Sequence, residues 1–240
     1  MVMMWKLAGA LLCGAFAAGA QAPAFEVASI KPAAPEATGQ DVKRDPAGGI
    51  VLTNVNLRSL VIMAYQIQPF QLAGGPSWLR PRRFDIAAKA PAGARKDQTW
   101  AMLQTLLADR FHLAVHRETK EMPIFELVVA KGGLKIQPAH RAPSEADDSI
   151  ITFAGRYKAS MAQMSGLALV LSGMLGHRVV DRTNLDGRYD FQLEFARDES
   201  DSSRPSIYGA LQDQLGLKLE PSKGAVDMIV IDRAELPSGN

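Results

Sequence analysis

A four-residue signature occurs twice in this chain. Arg83-Phe84-Asp85-Ile86 returns in the second half as Arg188-Tyr189-Asp190-Phe191. Each copy opens a stretch of alternating character. Phe84, Ile86 and Ala88 alternate with Asp85, Ala87 and Lys89, and Tyr189, Phe191, Leu193 and Phe195 alternate with Asp190, Gln192 and Glu194. A period of two marks a strand with one buried face. A second echo follows: Leu103-Gln104 leading into Phe111-His112-Leu113 parallels Leu211-Gln212 leading into Leu217-Lys218-Leu219. Recurrence of order and pattern predicts two copies of one small unit.

The first unit is read over residues 49–137. Gly49–Val55 is a strand, and Asn56 caps a helix whose apolar stripe is Leu57, Leu60, Val61, Ala64 and Tyr65. Gln71–Ala73 is a short strand before the turn Gly74-Gly75-Pro76. Asp97 caps a second helix carrying Trp100, Leu103, Leu106 and Leu107. Phe111–Thr119 and Pro123–Ala130 are read as a closing hairpin. The second unit, 150–240, repeats the order. Ile150–Tyr157 is a strand, and Ser160-x-x-Gln163 reads as a capping box for a helix burying Met164, Leu167, Ala168, Leu171, Met174 and Leu175. Arg178–Asp181 is a short strand, Asn184–Gly187 a turn, and Pro205-Ser206 open a last helix with Ile207, Ala210, Leu211 and Leu215. Leu217–Glu220 and Val226–Asp232 close as a hairpin. The expected class is α+β, two tandem β-α-β-β-α-β-β units. Residues 21–48 supply an N-terminal strand (Phe25–Pro32) and a loop, and 138–149 form a linker. By pattern alone the unit is similar to the small N-terminal domains of secretins and TonB-dependent receptors, which bind other proteins.

Residues 1–20 read as a cleavable signal peptide. Lys6 precedes an apolar run, Leu7–Ala18, and Ala18-Gly19-Ala20 fits a small-x-small cleavage site, leaving Gln21 first. The run falls short of the roughly 20 residues of a membrane span. The sole cysteine, Cys13, lies inside it behind Leu12, a poor setting for a lipid anchor. The expected mature protein is cysteine-free, exported to the periplasm or beyond, and without a transmembrane segment. With 47% hydrophobic residues, 22% charged residues and net charge +2, the composition is that of a globular protein and argues against nucleic-acid binding.

Larger blocks carry a family resemblance. FEVASIKP, NLRSLVIMAYQ, GGPSWL with RFDIAAKA, LLADRFHLAVHRETKEMPIFELVVAKGG, VVDRTNLDGRYDFQLEF and LGLKLEPSKGAVDMIVIDR together resemble DUF3738, an Acidobacteria-rich, soil-associated family of exported proteins of unknown function. The resemblance implies no assigned activity and no functional residues. Relatives fused to membrane metallopeptidase modules of the BlaR1 type suggest a sensor or regulatory partner in envelope signalling as one alternative.

No catalytic motif is present. There is no Gly-x-Ser-x-Gly, no Ser-x-x-Lys, no phosphate-binding glycine loop and no GxGxxG. His112, His116 and Glu118 share a strand face, but His112 and His116 would stand about 13 Å apart there, too far for one ion. His140 and His177 read as surface histidines, and Arg83/Asp85 and Arg188/Asp190 as flanking or cross-strand charge pairs. No catalytic residue, metal or cofactor is expected. Tyr65, Ser77 and Trp78 are the candidate ligand-binding residues, since a tryptophan after a tight turn can floor a groove. The function expected is a non-enzymatic module binding an envelope or secreted protein or peptide, with an unrecognised hydrolase as a further alternative.

Overall fold

A computed structural model describes residues 22–140, 150–152, 155–198 and 201–237. The proposed leader, Cys13 and most of the proposed linker lie outside them. No helix among the described residues is long and apolar enough to cross a membrane.

The first sheet has the order β1 (Val27–Pro32), β5 (Arg83–Lys89), β3 (Ile50–Asn56), β2 (Asp41–Arg44), antiparallel throughout. Strand β2 arises inside the stretch expected to be loop, where its polar sequence gives no apolar alternation. Helices α1 (Leu57–Tyr65) and α2 (Thr99–Phe111) cover one sheet face. Ile30, Leu52, Phe84 and Ile86 meet Leu57, Leu60, Leu103 and Leu107 there in one buried cluster. Asn56 caps α1 by accepting the Ser59 N–H at 2.8 Å. Asp97 does not cap α2: a single 3-10 turn, Lys96–Gln98, precedes the helix, and the Asp97 carboxylate pairs with Arg95.

The second lobe is built alike. A three-stranded sheet, β10 (Tyr189–Glu194), β8 (Arg156–Ala162), β7 (Ile150–Thr152), packs Tyr157, Phe191 and Leu193 with Leu167 and Leu171 of α3 (Met164–Leu175). Leu211 and Leu215, in the π turn that follows α4 (Ile207–Ala210), complete that core. Ser206 caps α4 by accepting the Gly209 N–H. Two expectations change here. Ile150–Tyr157 is not one strand, because the chain reverses around Gly155 (φ +70°) into the β7–β8 hairpin. Ser160 does not open a helix, because β8 runs on to Ala162 and Gln163 is the N-cap. Met174 faces out, 39% exposed.

The third sheet joins the lobes, with the order β4 (Leu72–Gly74), β11 (Leu217–Arg233), β6 (Ala114–Val129), β9 (Val179–Asp181). Its centre corrects both expected closing hairpins. Each is a single long strand, 16 residues in β6 and 17 in β11, and the two pair with each other antiparallel from Leu217↔Val129 to Arg233↔Ala114. Pro123 and Pro221 read as breakers in sequence but fit this ladder. The Phe125 N–H points outward to the Arg178 carbonyl (2.9 Å), so its partner Pro221 also turns its nitrogen outward. Pro123, two residues away, has the same phase, and neither proline removes a bond between the strands.

The flanking strands cross over. β4, from the first half, runs parallel to the end of β11 at Ile229–Ile231, and β9, from the second half, runs parallel to β6 at Phe125–Leu127. Gly74 permits the close approach: at φ +73°, a Cβ there would lie 2.7 Å from the Ile231 carbonyl oxygen. Each core therefore borrows from the other half. Ile229 and Ile231 are buried in the first core, and Leu127 in the second.

Candidate binding surfaces

The repeated Arg-x-Asp signature has a structural task that it performs twice. Strand β3 bulges at Asn54 and β8 at Met161, each in the left-handed region (φ 56° and 52°). Asp85 accepts the Asn54 N–H at 2.8 Å while Arg83 donates to the Asn54 carbonyl at 3.0 Å. Asp190 accepts the Met161 N–H at 2.7 Å and Arg188 donates to the Met161 carbonyl at 2.8 Å. The charges hold the backbone of a bulge in the neighbouring strand; Arg83 and Asp85 form no ion pair with each other. A further match lies beside each clamp. In Ile30-Lys31-Pro32-Ala33 the Ala33 N–H reaches the Arg83 carbonyl, and in Ile136-Gln137-Pro138-Ala139 the Ala139 N–H reaches that of Arg188. The start of the expected linker thus lies along β10, bridging Pro138 to Tyr189.

The two bulges differ in side chain. Met161 shows that this backbone clamp works without an amide. Asn54 is only 4% exposed, and its Nδ2 donates to the carbonyls of Ala37 (3.1 Å) and Gly39 (2.5 Å), tying down the loop that leads into β2. Its Oδ1 is buried with no hydrogen-bond partner. Asn54 forms part of the wall of a groove of about 520 Å³ between the segment Pro32–Ala37, the turn Pro81–Phe84 and the tail Leu236-Pro237. Prolines and alanines make its apolar walls, Arg82 and Arg83 lie on it, and no acidic side chain lines it.

The sheet edges are treated unequally. The outer edge of β10 is occupied at one end by Pro138-Ala139. At the other end the Gln214 amide meets both backbone groups of Glu194, accepting from its N–H at 3.0 Å and donating to its carbonyl at 2.7 Å. The long central strands carry outward-turned prolines, and β1 ends in Pro32. Strand β2 is exposed at all four residues. The Asp45 N–H bonds to the Gly49 carbonyl, so by the period of two the N–H groups of Val42 and Arg44 point away from β3.

The sequence-proposed ligand residues lie elsewhere. Tyr65 ends α1 and Trp78 sits in the 3-10 turn Ser77–Leu79; both are half-buried against the first core, with Ser77 exposed. Burial raises the Tyr65 phenol above its usual range, and the nearby Arg117 charge opposes that rise. His112 closes α2 in the left-handed conformation, and His116 Nδ1 lies 2.8 Å from Asp232 on β11. Glu118 pairs with Lys120, so these three are not brought together. His177 stacks edge-on against Phe125.

The fold and its surfaces define a two-lobed α+β protein whose halves exchange strands through a shared sheet. The family model for a protein of unknown function (DUF3738) matches residues 58–234, most of the chain, and the chain belongs to that family. The match spans both Arg-x-Asp signatures and both long strands. No curated protein and no solved structure matches the chain.

Proposed function

We propose that this chain is an exported, non-catalytic binding module that holds an extended peptide segment of an envelope or secreted protein along β2. The observation that carries the reading is the fully exposed edge of β2, with the Val42 and Arg44 amides pointing away from the sheet, in contrast to β10, whose outer edge is filled, and β1, which ends in Pro32. An added strand gains main-chain hydrogen bonds there. Charge pattern sets its preference: a basic residue opposite Asp41, an apolar one opposite Val42 and an acidic one opposite Lys43. We also read the two halves as copies of one ancestral unit, similar in element order to the small secretin and TonB-receptor domains.

The test is selection of extended peptides from a displayed library against the mature protein, followed by Val42→Pro. The proline removes an outward N–H and leaves the β2–β3 ladder intact. Capture should fall at least about tenfold, the loss expected for one or two hydrogen bonds; undiminished capture by the folded variant overturns the reading. N-terminal sequencing of exported material should begin at Gln21, and a start at Met1 or Val2 would contradict cleavage.

The sequence Asp41-Val42-Lys43 supports a second occupant. In an antiparallel pairing centred on Val42, Asp41 of one copy faces Lys43 of another. Dimerisation by that route would be lost in Asp41→Lys and in Lys43→Asp, and restored in the double reversal. Sedimentation showing the same state for all three variants excludes it.

A further inference from the structure

We propose that the groove beside Asn54 binds an N-acylated α-amino carboxylate with an apolar side chain, a chemistry shared by free N-acyl amino acids and by the last residue of a peptide. The proposal is independent of the β2 reading. Three features of the groove point to one ligand.

The first is charge. Among the described residues no carboxylate lies within ion-pair distance of Arg82 or Arg83, and no acidic residue lines the walls. Arg83 donates one N–H to the Asn54 carbonyl. A guanidinium offers its donors in a planar fork that matches a carboxylate. The second is the unused acceptor. Asn54 Oδ1 is buried without a donor, and a buried polar group left unsatisfied is costly. The equivalent position in the other lobe carries Met161 under the same clamp, so the clamp does not require an amide. Arg83 bonds the Asn54 backbone carbonyl, so its guanidinium and the Asn54 amide belong to neighbouring parts of the wall, and a ligand that uncovers and engages the Oδ1 presents its N–H or O–H donor close to its carboxylate. An acylated α-amino carboxylate has that arrangement.

The third feature is shape. About 520 Å³ falls within the range of small-molecule sites, roughly 300–1,000 Å³. The walls come from Pro32, Pro35, Pro81 and Pro237 with intervening alanines, which lose little side-chain entropy on binding. Such walls suit an aliphatic side chain.

The experiment is calorimetric titration of the mature protein with N-acetyl-leucine, N-acetyl-leucinamide and 4-methylpentanoate. Amide spectra of the Asn54 side chain serve as a local reporter. N-acetyl-leucine should bind saturably and shift the Asn54 side-chain resonances. The amide, which lacks the carboxylate, and the fatty acid, which lacks the N–H, should each bind about tenfold more weakly, as expected for one charged or buried hydrogen bond. Arg82→Gln, at an exposed position, should weaken N-acetyl-leucine by a similar factor. Absence of saturable binding overturns the proposal, as does equal affinity for the three probes or undiminished binding by Arg82→Gln. A blocked tetrapeptide ending in leucine separates the sources. Binding at least as tight as N-acetyl-leucine assigns a peptide end, and binding about tenfold weaker assigns a free acyl amino acid.

Discussion

The Asp85 carboxylate reaches across from β5 to take the N–H of Asn54, the residue that breaks the register of β3. A bulge leaves backbone groups outside the ladder, and a left-handed residue adds strain. The clamp answers the first problem with one acceptor and one donor. Asp85→Ala should lower stability by about 1–3 kcal/mol, the cost of losing a charge-assisted bond to a part-buried N–H. Asp190→Ala should cost a similar amount. In thermal melts, 1 kcal/mol corresponds to about 2–4 °C for a chain of this size. A melting temperature unchanged in both variants would show that the bulges hold without their carboxylates.

The exchange of strands should make the two cores one cooperative unit. In the chain without the proposed leader, which carries Trp5, the tryptophans are Trp78 and Trp100; both pack against the first core, so tryptophan fluorescence reports that lobe while far-ultraviolet dichroism reports both. The urea transitions from the two probes should coincide. Leu127 is fully buried in the second core, and Leu127→Ala should cost about 2–5 kcal/mol. It should move the fluorescence transition as far as the dichroism transition. Separate midpoints would show lobes that melt independently.

Gln214→Ala should uncover the edge of β10. Two bonds to Glu194 disappear, for a loss of about 1–3 kcal/mol. Hydrogen exchange at the Glu194 amide should accelerate while the buried face of β10 stays protected. Unchanged exchange would mean that another group shields this edge.

Helix α2 ends on His112 at φ 47°, a conformation that glycine adopts with less strain. The imidazole is exposed, so His112→Gly should stabilise the protein by about 0.5–1 kcal/mol after the entropy of the unfolded chain is counted. Gly216 fills the corresponding place after α4 at φ +70°, where a Cβ would collide with the Gly133 carbonyl. Gly216→Ala should therefore destabilise. Opposite signs in urea denaturation are the outcome to look for.

Tyr65 titrates above an ordinary phenol because it is partly buried, with Arg117 pulling the other way. Arg117→Gln should raise its pKa further, visible as a shift in the phenolate absorbance lost in Tyr65→Phe. Since the folded pKa exceeds the unfolded one, the associated stability is present below the unfolded pKa. It drains away as pH rises through the folded value.

Two helix caps and the strand faces are legible in the sequence because they are local, whereas Asp97 and Ser160 have capping side chains that the fold uses otherwise. Asn56 and Ser206 are capping side chains followed by apolar periodicity, and Phe84, Ile86, Tyr189 and Phe191 alternate as a half-buried strand must. The pairing of β6 with β11 was not legible. The segment around Pro221, Ser222, Lys223 and Gly224 has the composition of a hairpin turn, and only the outward phase of the prolines reconciles it with a continuous strand. The echo of Ile30-Lys31-Pro32-Ala33 in Ile136-Gln137-Pro138-Ala139 is present in the sequence, but it straddles the expected boundary between the first unit, ending at 137, and the linker that opens at Pro138. The groove had no linear signal, because residues 32–37, 54, 81–84 and 236–237 become neighbours only after folding. The sequence pointed instead to Trp78 and Tyr65, whose aromatic surface rests on the first core.

Ile229 and Ile231 follow β4 at a long distance in sequence and are buried in the core that β1, β3, β5 and the first two helices build. As the polypeptide emerges from the ribosome, β4 is made long before the segment of β11 that becomes its parallel neighbour. The first lobe must wait for a segment of the second, and pairing between such distant segments is intrinsically slow. A premature stop ahead of β11 would leave the first core without Ile229 and Ile231.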